Sequence, residues 1–179
     1  MIEISNNQLA VTISPIGAEV QSIKDVNTQC EYFWHGDAQW WSGHSPILFP
    51  IVGGLWNGTC RVDGQELHIS KHGFVRRAPW RVVSVEAHKA VFEFVSTVGT
   101  FAIFPYAFRL TATYSLNDRK LRAEFCVENL GGAPFCFQLG GHPAIALPNW
   151  DDAQPLDGYL RLEGNPTHVL RAGEQGCLE

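Results

Sequence analysis

The chain carries little charge and concentrates none of it. Of its 179 residues 17% are charged, with 13 Lys and Arg against 18 Asp and Glu, for a formal net charge of −5. The cations are scattered, so no basic footprint exists on which a nucleic-acid backbone could settle, and no nucleic-acid partner is expected. No apolar run approaches the roughly 18 residues of a membrane span. The opening stretch Met1-Ile2-Glu3-Ile4-Ser5-Asn6 also lacks the basic start and apolar core of a secretion signal. The chain therefore reads as cytoplasmic, with no membrane partner. Cys30, Cys60, Cys126, Cys136 and Cys177 are an odd set without close pairs, which argues for reduced thiols rather than a disulfide framework. The sequence has no C-x-x-C and no His-x-His pair, and His68 with His72 does not fall on a credible helix, so no metal site is expected. Gly53-Gly54 makes no phosphate loop, because neither a helix nor a Gly-Lys-Ser pattern follows it.

What the chain has instead is apolar bulk at a period of two. With 45% hydrophobic and 12% aromatic residues it is long enough for one substantial core and too short to make two domains the default. One domain over residues 1–179 is expected. Residues 9–13, 80–85, 90–95, 108–114, 121–127 and 134–139 alternate and are rich in β-branched and aromatic side chains, which predicts strands. Helical periodicity is nearly absent. Turn signals at Asp63-Gly64, Asn117-Asp118 and Asn129-Leu130-Gly131-Gly132 suit antiparallel hairpins. The fold class read from this pattern is all-β, an antiparallel β-sandwich. Residues 148–155, polar and proline-bounded, read as a surface loop rather than a linker. After residues 159–162 and 167–170 the chain runs to Glu179 with no closing strand. A sandwich truncated there keeps an unpaired edge, and self-association is the expected consequence.

Two histidines stand where strands give way to tight turns: His72 in Lys71-His72-Gly73-Phe74-Val75-Arg76 and His142 in Gly140-Gly141-His142-Pro143. Imidazole both holds and releases a proton near neutrality, with an unperturbed pKa of about 6.5. Glycine and proline fix the flanking backbone, so both rings would be aimed by rigid turns. The alternative is that each ring merely satisfies a nearby carbonyl in its own turn. Trp34, Trp40, Trp41 and Phe74 could each stack on a sugar face, but aromatic residues dominate sandwich cores, and only Phe74 stands beside His72. Phe49-Pro50-Ile51 reads as a bent core strand, and Asn129 as a turn closure.

Taken in order, Ser45-Pro46-Ile47-Leu48-Phe49-Pro50-Ile51-Val52-Gly53, Val62-Asp63-Gly64, His72-Gly73-Phe74 with Arg76, and Asn129 with Gly140-Gly141-His142-Pro143 resemble the aldose 1-epimerase, or galactose mutarotase-like, family. The likeness is to its LacX-like bacterial branch and runs from Ile4 to about Leu170. The resemblance implies a galactose mutarotase-like supersandwich and interconversion of the α and β anomers of an aldohexose, free or phosphorylated, without a cofactor. It implies His142 as general acid and His72 as the sugar-binding histidine near the ring oxygen, both counted as catalytic, with Phe74 and Arg76 also at the substrate. Acid–base groups of this kind contribute roughly 10²–10⁴-fold each.

The sequence departs from the family in two places. Relatives in this branch carry an arginine where this chain has Gly54, a lost bidentate donor that Arg76 or Arg77 would have to replace. The family's glutamate base and sugar-binding aspartate, both late in a longer chain, have no counterpart, and Glu174 and Glu179 fall too early to match. A non-catalytic carbohydrate-binding module of the same fold is therefore the alternative to an enzyme. A glycoside-processing enzyme would need two carboxylates about 5–10 Å apart, which the motif segments do not offer.

Overall fold

The computed structural model describes residues 1–62 and 64–146, and beyond them Gly164, Thr167, His168, Leu170, Arg171, Gly173, Gly176 and Cys177. Its strands in chain order are β1 (Ile2–Ser5), β2 (Leu9–Ser14), β3 (Glu19–Asp25), β4 (Ile47–Leu48), β5 (Thr59–Val62), β6 (Gln65–His68), β7 (Arg81–Glu86), β8 (Lys89–Val95), β9 (Phe108–Asn117), β10 (Lys120–Asn129) and β11 (Gly140–Gly141). The architecture is an antiparallel β-sandwich. One sheet orders β1-β2-β3, a second orders β10-β9-β8-β7, and β11 with β4 and β5 with β6 form two-stranded ribbons.

Alternation decides which residues enter the core. Leu9, Val11 and Ile13 are buried along β2, and Phe108, Leu110, Ala112, Tyr114 and Leu116 along β9, while the residues between them face outward. Both sheets feed one apolar cluster, in which Phe49 lies against Phe104 and Phe108. The Tyr114 hydroxyl, buried there, donates to the Ala18 carbonyl at 2.7 Å and so joins the two sheets.

Five of the six predicted strands are present, as β2, β7, β8, β9 and β10. Asp118, at φ 50, turns the chain between β9 and β10, and Asn129 closes its turn through Gly131 N–H and the Ala133 carbonyl. Residues 134–139 are not a strand. Pro134 has no N–H, and Pro50, opposite them, has none either, so the neighbours join only through Gln138. Its N–H donates to the Pro50 carbonyl at 2.8 Å, and its side-chain oxygen accepts the Val52 N–H at 2.9 Å. Regular pairing resumes at β11. The expected loop at 148–155 and the run 159–162 lie outside the described residues, as do Asp63, Glu174 and Glu179; within 167–170, Thr167, His168 and Leu170 are irregular. Among the described residues no strand pairs with the outer edge of β10, whose Leu121, Phe125 and Val127 stay half-buried.

A polar latch ties the sheets at the opposite end. The Asp25 carboxylate, 2% exposed, accepts the Asn27 and Thr28 N–H groups and the Arg119 guanidinium, each at 2.8 Å. The Thr28 N–H bond and, next, Arg119 hold its carboxyl down at about 2. Because the folded value lies below the ordinary one, this carboxylate stabilises the fold above about pH 4 and ceases to as pH falls through about 2. Urea midpoints of the native chain should therefore drop between those pH values more steeply than those of Asp25→Asn. Equal slopes would contradict the latch.

Candidate active site

β4 is the middle of a longer segment, residues 44–53, with a neighbour on each side. On one side Gly140 and Gly141 pair with Leu48 and Ile47, the His142 N–H donates to the Pro46 carbonyl at 3.1 Å, and the Ala144 N–H to that of His44 at 2.8 Å. On the other, Gly73 bridges to Phe49, the Phe74 N–H donates to the Phe49 carbonyl at 3.1 Å, and the His72 N–H to that of Gly53 at 2.8 Å. Two histidines far apart in sequence thus flank one strand. Their ring centroids are 5.9 Å apart, with planes at 59°.

Local chemistry fixes His72. Gly73 has a φ of 69°, and a Cβ there would overlap the Phe49 carbonyl oxygen, so only glycine lets the turn close on the strand. His72 itself sits at φ 67°, a region that non-glycine residues rarely adopt and that concentrates at functional sites. Two bonds to Gly53 hold it there. Besides the backbone bond, the Gly53 N–H donates to His72 Nδ1 at 3.0 Å. Nδ1 is therefore the acceptor, and the neutral ring carries its proton on Nε2. Burial first, then the charges of Arg76 and Lys71 and the His142 ring, push the His72 pKa below the usual 6.5. At neutral pH His72 is an uncharged Nε2–H donor.

His142 is placed differently. It is exposed, and among the described residues its imidazole has no hydrogen bond, so both nitrogens are open to a ligand or solvent. Its ring rests against Trp41, centroids 4.9 Å apart. Glu19 supports the same wall indirectly. One of its carboxylate oxygens accepts the His44 and Ser45 N–H groups at 2.8 Å each, pinning the loop whose next residue, Pro46, holds His142. Its other oxygen accepts the Gln21 amide at 3.0 Å.

Of the residues singled out from sequence, His72 and His142 are brought together. Arg76 lies in the turn Val75–Arg77 and closes the His72 loop by donating to the Lys71 carbonyl at 3.1 Å; its Nε is buried without a partner among the described residues. Phe74 is half-buried, its ring toward Phe94 and Phe108 at 6.3 and 6.5 Å, on the core side of the turn. Gly54, where the resemblance places an arginine, gives its N–H to the Gly176 carbonyl at 2.6 Å. Sequence reasoning set Trp41 aside as packing and missed Glu19. The glycine at 43 was the available signal for Trp41, whereas no local pattern marks Glu19. Among the described residues no three metal-ligating side chains converge.

Fold and site define an antiparallel sandwich with two histidines paired beside a buried strand. The sequence profile of the aldose 1-epimerase family matches residues 1–171, and the chain belongs to that family. It is 34% identical over 153 residues to the plasmid-encoded Protein LacX of Lactococcus lactis subsp. lactis, a match spanning 82% of this chain and 51% of that protein. The chromosomal form of LacX is 33% identical over the same shares. Among solved structures, a galactose mutarotase related enzyme from Lactobacillus acidophilus superposes with a TM-score of 0.81 at 34% identity, covering 86% of this chain and 51% of that one. A galactose mutarotase-like protein from Lactobacillus casei ATCC 334 gives 0.79 at 33% identity, covering 81% and 49%. The chain spans about half the length of the relatives it matches.

The geometry of His72 yields a titration test. Its depressed pKa means that protonation opposes the folded arrangement: the contribution is complete above 6.5 and is lost as pH falls through the lower folded value. In NMR the His72 Cε1–H should titrate with a midpoint below 6.5, and Lys71→Ala should raise that midpoint by removing one opposing charge. A midpoint at or above 6.5 in the native chain would contradict the assigned state.

Proposed function

We propose that an aldohexose binds across the His72 and His142 rings and that His142 acts as the general acid of mutarotation. The single observation behind this reading is the 5.9 Å approach of two histidines from separate turns, one neutral and tethered, the other free. At that separation both imidazoles can reach the oxygens of one pyranose lying across their edges. His72 Nε2–H donates to a sugar oxygen equally before and during reaction, a binding role. His142 transfers a proton to the ring oxygen as the C1–O5 bond breaks and the anomeric hydroxyl loses its proton, giving the open-chain aldehyde. Rotation about C1–C2 and reclosure through the reverse transfers return the proton to His142 and deliver the other anomer.

The proton leaving the anomeric hydroxyl needs an acceptor. Among the described residues no carboxylate contacts either imidazole, and Glu19, whose charge faces Arg76, has its oxygens engaged by two backbone N–H groups and an amide. Among the described residues water is the remaining acceptor. That observation favours the second reading, a carbohydrate-binding module of the same fold in which the pocket recognises a sugar without turning it over.

Polarimetry on freshly dissolved α-D-glucose and α-D-galactose separates these readings. The 179-residue chain should accelerate mutarotation no more than a few-fold over buffer. His142→Ala should abolish that acceleration, and His72→Ala should raise KM several-fold with kcat nearly unchanged. Turnover in the ordinary enzyme range, roughly 1–10³ per second, would show that a base lies within these residues. Equal loss of kcat in both variants would refute the division of roles.

A further inference from the structure

Trp41 is built into the site more firmly than a surface aromatic requires. Its indole lies 4.9 Å from His142, which lies 5.9 Å from His72, so His142 neighbours both rings. Trp41 is half-buried and, like Trp34, lies outside the apolar cluster of the core. Its partial burial comes from His142 and from its own loop at Gly43 rather than from the core.

The backbone around it is tied at every step. The Trp40 and Trp41 N–H groups donate to the Asp37 carbonyl at 3.0 and 2.8 Å, and the Gln39 N–H to the Asp37 carboxylate at 2.8 Å. The Trp41 carbonyl accepts the Trp34 indole N–H at 2.7 Å. Gly43 makes room for the ring, since a Cβ there would stand 2.5 Å from Trp41 Cζ2. Trp40, one residue away, is 75% exposed and has no ring contact. Trp41's own indole N–H has no partner among the described residues. A rigid aromatic plane with a free donor at its edge matches a pyranose, which has one C–H-rich face and a rim of hydroxyls.

We infer that Trp41 is a substrate-positioning residue, a platform on which the apolar face of a pyranose stacks so that its ring oxygen meets His142. The inference rests on the proposed sugar site and adds to it a preference for the closed ring over the open chain. A bound sugar is then held by the platform on one side and the His72 donor on the other, and acyclic polyols with the same hydroxyls lose the platform.

The test is an NMR titration of the 179-residue chain with D-galactose and with galactitol, its acyclic counterpart. Trp41→Ala should weaken galactose about tenfold and Trp41→Phe, which keeps a smaller ring, about threefold. Trp40→Ala should leave affinity unchanged, and galactitol should bind weakly and indifferently to residue 41. Fingerprint spectra establish that each variant is folded, and Trp41→Phe carries the test if Trp41→Ala is not. Galactose binding that depends on His72 but not on Trp41 overturns this inference and leaves the sugar site standing. Equal weakening of galactose and galactitol by Trp41→Ala overturns ring stacking. Failure of the native chain to bind galactose overturns the sugar site and the platform with it.

Discussion

The Phe49 carbonyl accepts the Phe74 N–H at 3.1 Å and sits where any side chain at residue 73 would have to go. On that close approach the site depends. It draws the His72 turn onto residues 44–53 from one side while β11 draws the His142 turn on from the other. The strand between them is itself anchored, with Phe49 buried among Phe104, Phe108 and Phe137. Core packing therefore sets the separation of the two imidazoles.

The same frame makes the two rings unlike each other. His72 is half-buried, tethered at Nδ1 by a backbone N–H, and surrounded by positive charge that opposes its protonation. His142 is exposed, untethered among the described residues, and backed by an indole. One side chain type in two environments supplies a fixed donor and an untethered ring, the division that the proposed acid–base role would use.

Much of this was legible in the sequence because the governing signals are local. Alternation from Phe108 to Leu116 and the Asn117-Asp118 turn specify β9 and its hairpin without reference to the rest of the chain. Gly73, which marks a close backbone approach, and Gly140-Gly141, which form the short strand before His142, pointed to the two histidines. What was hidden depends on contacts between distant residues. Residues 134–139 alternate like a strand, yet prolines on both sides of the would-be ladder deny it donors. Phe74, adjacent to His72 in the chain, turns its ring to Phe94 and Phe108, whereas Trp41, far from both histidines in sequence, lies on His142. Glu19 acts through two N–H groups that no spacing rule links to it.

The central claim is that both histidines address one sugar. Intermolecular NOEs from D-galactose to the isolated chain test it directly, because imidazole ring protons report individually on what lies beside them. The account predicts contacts from the same pyranose to the Cδ2–H of His72 and of His142. Contacts to only one ring, or to neither at saturating sugar, would contradict it.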